Sequence, residues 1–279
     1  MKSITVTTKF HEFSGWETGN SEGFTILSFH GWLDNANSFL RLAPLFPEYR
    51  WISLDWSGHG NSTKKPDRTL YHFAEGCLDL VSIAQSLKLE KFHLVAHSMG
   101  AAISTLVAGL GLLPIQKLVL IEALGPISLS AKKTPDQMKE SIEQILHPKG
   151  RQETLFPDMN SAIRVRMRAG DMSEASVKIL LDRGLEVIEN GLRPKRDLRL
   201  HYHSFSRLTE EQVISFCERI VAPTLLILGN QSIFPIQNQF DGRKKAIKTF
   251  KEIVLPGGHH LHLDTPEPVA KIIRNFFNE

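Results

Sequence analysis

The chain has 279 residues, 42% hydrophobic and 23% charged, with 19 glycines and 14 prolines, a composition that excludes collagen-like, coiled-coil and disordered proteins. Its 33 Lys and Arg exceed its 30 Asp and Glu by three, too small and dispersed a surplus for a nucleic-acid partner. Cys77 and Cys217 are the only cysteines and show no C-x-x-C spacing, so neither a disulfide framework nor a zinc site is expected and both read as reduced, structural thiols.

Met1 to Thr8 alternate polar and apolar residues, which suits a half-buried strand and lacks the continuous apolar run of a signal peptide. The most apolar runs are strand-length, far short of the roughly 20 residues of a membrane helix. The expectation is a cytoplasmic protein without membrane insertion. Apolar, strand-like runs are predicted over 4–10, 24–29, 51–55, 92–96, 118–121, 224–228 and 252–255, with residues 11–16 adding a hairpin strand. They alternate with helical patterns over 37–46, 70–88, 99–110, 238–248 and 266–277, the last with Thr265 as N-cap and Pro266 at its first position. This rhythm predicts an α/β protein with a mainly parallel sheet and helices on both faces.

The rhythm breaks between 123 and 221. Thr134-Pro135 opens a segment with Met138, Ile142 and Ile145 at helical spacing, and Thr209 to Gln212 is a capping-box pattern before Val213 and Ile214. Residues 1–122 and 222–279 are therefore expected to form the core. Residues 123–221 are expected to form a helical cap over a site at the strand ends, where open α/β sheets bind ligands.

Three segments carry chemistry. In Ala96-His97-Ser98-Met99-Gly100, a buried strand runs directly into a helix with small residues two positions either side of the serine, the pattern of a nucleophile elbow that holds the hydroxyl of Ser98 clear of the sheet. His30-Gly31-Trp32 follows another strand, and the backbone N–H groups of Trp32 and Met99 are the expected oxyanion hole. In Gly258-His259-His260-Leu261-His262, a loop histidine can take the serine proton. His259, directly after the Gly-Gly turn, is the first choice and His260 and His262 are alternatives. No H-E-x-x-H spacing or carboxylate cluster accompanies these histidines, so no metal site is expected. Asp55 to Ser62 supplies a glycine-rich turn beside the site and reads as scaffolding.

His30-Gly31, Asp55 to Ser62, Ala96 to Gly100 and Gly258-His259 to Pro266 together resemble the α/β-hydrolase superfamily. His30 to Asn35 and Gly258 to Asp264 are most similar to its serine hydrolase-like branch, whose substrates are poorly defined. The resemblance implies an eight-stranded sheet, a cap domain, a Ser-acid-His triad and no cofactor. The superfamily's usual acid stands in a Gly-x-x-Asp arrangement after the strand at 224–228. Here the residues are Gly229-Asn230-Gln231-Ser232, and a neutral hydroxyl cannot stabilise an imidazolium as a carboxylate does. Glu122, directly after Leu118 to Ile121, resembles the acid of those superfamily members that carry it at this strand end, including some haloalkane dehalogenases. Asp197, Asp241 and Asp264 remain alternatives. Serine at 98 argues against dehalogenase or epoxide hydrolase chemistry, which needs an aspartate nucleophile.

The function expected is a serine hydrolase, carboxylesterase-like, cleaving an ester or related acyl bond of a small-molecule substrate. The catalytic residues would be Ser98, His259 and Glu122, the protein a monomer or homodimer. The alternatives are a thioesterase or C–C bond hydrolase with the same triad, or a catalytically degenerate binding protein on the same fold. The basic residues at 164–168 and 193–199 read first as a solvated face, second as a site for an anionic substrate.

Overall fold

A computed structural model describes residues 1–147, 154–232 and 240–279. Strand β1 (Lys2–Thr7) pairs with β2 (Glu12–Gly19), and β3 (Thr25–Phe29), β4 (Arg50–Leu54), β5 (Phe92–His97) and β6 (Ile115–Ile121) follow, interleaved with helices α1 (Glu75–Ser86) and α2 (Met99–Leu110). Next come α3 (Thr134–Leu146), α4 (Met159–Arg168), α5 (Glu174–Gly184), a small hairpin of β7 (Leu185–Ile188) and β8 (Gly191–Pro194), and α6 (Glu210–Cys217). The chain then returns to the main sheet through β9 (Thr224–Gly229), α7 (Phe240–Ala246), β10 (Phe250–Leu255), the single turn α8 (Leu261–Asp264) and α9 (Pro266–Asn278).

The main sheet has eight strands in the order β1-β2-β4-β3-β5-β6-β9-β10. Only β2 runs against its neighbours; every pairing from β4 across to β10 is parallel. Alternate residues of the central strands feed two separate cores, as the two-residue period of a strand requires. Leu27, Leu94, Leu120 and Leu226 pack with Leu80 and Ile83 of α1, Ile103 and Val107 of α2 and Val213 of α6. Ile26, Val95, Val119 and Leu225 pack on the opposite face with Phe39, Phe46, and Val269, Ile273 and Phe276 of α9. Both faces are thus buried under helices and turns.

Several local expectations are corrected. Residues 37–46 do not form one helix but two 3-10 turns, Ala36–Phe39 and Ala43–Leu45. Pro44 lacks the N–H that a continuous helix would need and its ring crowds the preceding turn. The helix expected over 70–88 begins only at Glu75. Thr265 stands at the N-cap of α9 with Pro266 at its first position, as predicted, but its hydroxyl makes no capping hydrogen bond and donates back to the Leu261 carbonyl of α8 at 3.2 Å instead. The start of the helix predicted over 238–248 falls outside the described residues, and α7 begins at Phe240. The β7–β8 hairpin, too short and half-buried to show a strand pattern, interrupts the helices after β6. The capping box at Thr209 and Gln212 is present as predicted.

In-register pairing sets where the chain leaves the sheet. Phe29 pairs with Ala96, His97 with Ile121, Ile121 with Ile227, and Gly229 with Leu255. The segments that follow β3, β5, β6, β9 and β10 therefore emerge side by side at one edge. Among the described residues no helix is long and apolar enough to cross a membrane.

Closeness at the β5–α2 turn makes one position intolerant. A Cβ on Gly100 would stand 2.5 Å from the Phe29 carbonyl oxygen and 2.8 Å from that of His30, both backbone atoms that cannot swing aside. Gly100→Ala is expected to destabilise the protein by about 1–3 kcal/mol despite the better helix propensity of alanine. Urea unfolding measures this directly, and an unchanged midpoint would show that α2 can shift away from β3.

Candidate active site

Ser98 follows β5 and precedes α2, and its backbone sits at φ 50°, ψ −115°, a strained conformation for a residue with a side chain. The turn is held from both sides: the Ser98 N–H donates to the Ile121 carbonyl at 2.9 Å and the Ser98 carbonyl accepts from Ala102 at 2.9 Å. Gly31 presses against it. A Cβ there would meet His97 Nδ1 at 3.0 Å and Ser98 Cβ at 3.1 Å, so only glycine brings the 30–32 backbone this close. Trp32 is the next residue, and its indole lies half exposed, donating to the Leu200 carbonyl at 3.1 Å. The Met99 N–H opens α2 and has no acceptor within that helix. These are the two amides that the sequence picks for an oxyanion.

Glu122 occupies the corresponding place after β6, also at positive φ, 63°. Its N–H donates to the Ile227 carbonyl at 2.9 Å, and its side chain, buried beneath the surface, accepts from the Gly229 N–H and from the Ser232 hydroxyl. His259 Nδ1 lies 3.0 Å from Glu122 Oε2, and His259 Nε2 lies 2.9 Å from Ser98 Oγ. A carboxylate can only accept, so Nδ1 carries the proton and Nε2 is left to accept from the serine hydroxyl. Ser98, His259 and Glu122 thus form one hydrogen-bonded line. Ser232, the fourth residue of Gly229-Asn230-Gln231-Ser232, donates to the Glu122 carboxylate.

The other candidates lie elsewhere. His260 Nε2 is 2.9 Å from Asp34 Oδ2, and His262 Nε2 is 2.8 Å from Ser38 Oγ. Asp197 is tied to Arg199 and Tyr71, Asp264 to Ser173, and Asp241 lies exposed on α7 beside Lys244.

A cluster around His259 escaped sequence reading. His97 donates from Nε2 to the His259 carbonyl at 2.8 Å, and the Asp171 carboxylate accepts the His259 N–H at 2.8 Å. A Cβ on Gly258 would fall 2.1 Å from that carboxylate, so the second glycine of the Gly-Gly turn is what admits Asp171. Asp34, fully buried, is paired with Arg166 of α4 at 2.6 Å as well as with His260. Burial opposes ionisation of Asp34, but His260 and Arg166 hold its carboxyl well below the usual range. Burial alone would lower the His260 imidazole; Asp34 and Asp171 outweigh it and push the group up to about 9. Burial and the neighbouring imidazoles keep His97 and His262 well below the ordinary histidine value. Arg183 of α5 makes a further buried pair with Asp55 at 2.8 Å.

Asp34, His97 and His260 each offer a ligand atom within 4.8 Å of the others. The donor chemistry does not suit a cation, because the single charge of Asp34 already faces the Arg166 guanidinium and the His260 imidazole, whose hold on its proton is raised.

A strained serine between a parallel strand and a helix, reached by a loop histidine after the last strand, defines an α/β-hydrolase site. The chain belongs to the α/β-hydrolase fold family, which matches residues 25–266. It is similar to serine hydrolase-like proteins. That of Danio rerio is 27% identical, over 95% of this chain and 85% of the relative. A hypothetical protein from Pseudomonas aeruginosa of solved structure is 32% identical, with a TM-score of 0.94 and full coverage of both chains. The thioesterase domain from the curacin biosynthetic pathway is 25% identical, with a TM-score of 0.85 over 98% of this chain and 99% of that one. Family and relatives together mark the protein as a hydrolase.

The charge cluster gives stability a pH dependence on both sides. The raised His260 contributes stability that is complete below its unfolded value of 6.5 and is lost as pH rises through about 9. The lowered His97 and His262 act oppositely, contributing stability above 6.5 that is lost as pH falls below it. The melting temperature is expected to fall between pH 6.5 and 9, and His260→Gln to flatten that alkaline limb. A limb equally steep in the variant would place its origin in another group.

Proposed function

We propose that the protein is a serine hydrolase that cleaves an ester or related acyl bond of a small-molecule substrate through an acyl-enzyme. The observation that carries this reading is the unbroken line from Ser98 Oγ through His259 to Glu122, at 2.9 and 3.0 Å. Ser98 attacks the acyl carbon while His259 Nε2 takes its proton. Glu122 holds the imidazole in the tautomer that leaves Nε2 free and stabilises the imidazolium that forms. The Trp32 and Met99 amides receive the oxyanion, whose stabilisation supplies much of the rate. His259 then returns the proton to the leaving group, and water activated by the same imidazole releases the acyl group from Ser98.

Residues 123–221 serve as the cap in this reading. Asn35 and Asn37 donate to the carbonyls of Leu180 and Ile179, Arg166 reaches Asp34, and Arg183 reaches Asp55. All four core residues lie just beyond the carboxyl ends of β3 and β4. Substrate choice would rest with this segment. Thioester cleavage by the same residues is the second reading, favoured by the likeness to the curacin thioesterase domain.

A fluorophosphonate probe should label the protein, and Ser98→Ala should abolish that labelling; folded protein without Ser98-dependent labelling would sink the proposal. On an ester or thioester that is turned over, Glu122→Gln should lower kcat/KM by about 10³- to 10⁴-fold. Asp241→Asn should change it little. The reverse pattern would move the acid to α7.

A further inference from the structure

Seven basic residues stand at 164–168 and 193–199, and the structure sorts them. Arg164 and Arg168 are exposed, Arg164 on the Ser161 hydroxyl. Arg166 pairs with Asp34, Arg193 with Glu186, and Arg199 with Asp197, while Lys195 donates to Asn61. Among the described residues Arg196 is partly buried with neither a hydrogen bond nor an ion pair, and its Nε is shut off from solvent without a partner. A buried Nε–H in that state costs free energy unless something compensates it. Asp197, the next residue, is committed to Arg199, as Asp34 is to Arg166 and His260 and Asp55 to Arg183.

Its location is defined by its neighbours. The Lys195 N–H donates to the Gly184 carbonyl at 2.8 Å and the Asp197 N–H to the Gly58 carbonyl at 2.9 Å, so the chain at 196 is pinned beside the 58–61 turn. His59, in that turn, accepts the Leu33 N–H on Nε2 at 3.1 Å. Lys195 reaches Asn61 of the same turn, so residue 196 lies between two anchors on the 58–61 turn, whose His59 touches the 31–34 loop, and Gly31 of that loop packs on Ser98. Burial and Arg166 both lower the hold of Arg196 on its proton, the direction expected of a cation placed without its counter-ion.

We infer that Arg196 is a specificity-determining residue: its guanidinium receives a carboxylate or phosphate that the substrate carries away from the bond Ser98 attacks. The inference rests on the serine-hydrolase reading for its chemistry but not for its binding step. A planar fork of donors suits either oxyanion, and each makes charge-assisted hydrogen bonds that a neutral group cannot.

The test uses p-nitrophenyl monoesters of glutarate and adipate, their methyl-capped neutral counterparts, and the p-nitrophenyl ester of 4-phosphonobutyrate. The wild type should favour an anionic member over its neutral counterpart in kcat/KM by about 10- to 100-fold, mainly through KM. Arg196→Met should bring the ratio near one, and Arg196→Lys should restore part of it. Whichever anion is favoured more identifies the group. Equal rates for anionic and neutral esters, or a preference that survives Arg196→Met, overturn the inference. Binding is read separately in Ser98→Ala protein. There adipate or inorganic phosphate at constant ionic strength should raise the melting temperature, and adding Arg196→Met should remove the shift. Absence of a shift with both anions counts against the anion site even if Ser98 proves reactive in the wild type, whereas a shift in Ser98→Ala protein together with wild-type protein that no fluorophosphonate labels supports the anion site and removes the hydrolase reading.

Discussion

Parallel register is the constraint on which the site depends. Because β3, β5, β6 and β9 run parallel and stay in register over their carboxyl-terminal halves, Phe29 beside Ala96, His97 beside Ile121 and Ile121 beside Ile227, the chain leaves four neighbouring strands at about one level. Gly31, Ser98, Glu122 and Gly229 then face one another without any long loop to place them. A slip of one residue in β6 would turn Glu122 toward the wrong face of the sheet. The geometry of the Ser98–His259–Glu122 line is therefore stabilised by the whole of both cores, with His259 alone supplied by a loop, and that loop is itself fastened by His97 and Asp171.

Much of this was legible in the sequence, for reasons that differ by residue. The apolar runs of the central strands announced a sheet buried on both faces, since no solvent-facing alternation interrupts them. Ala96 and Gly100 around Ser98 announced the elbow because strand and helix cannot meet there over larger side chains. The 37–46 segment departs from the expected helix because its apolar spacing is helical while Pro44 breaks the hydrogen bonding. Asp34, Asp171 and Arg166 carry no local pattern: they meet across 132 positions for Asp34 and Arg166 and 88 for Asp171 and His259. Only the double glycine before His259 hinted that something must approach there.

The histidines around Ser98 show how one cluster accommodates both charge states. Four imidazoles, His97, His259, His260 and His262, lie with several ring centroids under 5 Å apart, where multiple cations would repel strongly. The two carboxylates beside His260 confine the positive charge to that ring, and burial leaves His97 and His262 neutral. His97, at the centre, can then donate to the His259 carbonyl while bringing no charge next to the proposed base.

Ser232 has a consequence for how the acid can move within this fold. The carboxylate of Glu122 is met by a hydroxyl and a backbone N–H from the end of β9, the strand end that carries the acid in other superfamily members. The two strand ends share one small volume, so a negative charge supplied from either would fall within reach of the same imidazole. On the proposed assignment, exchanging the donor of that charge needs no rearrangement of the sheet.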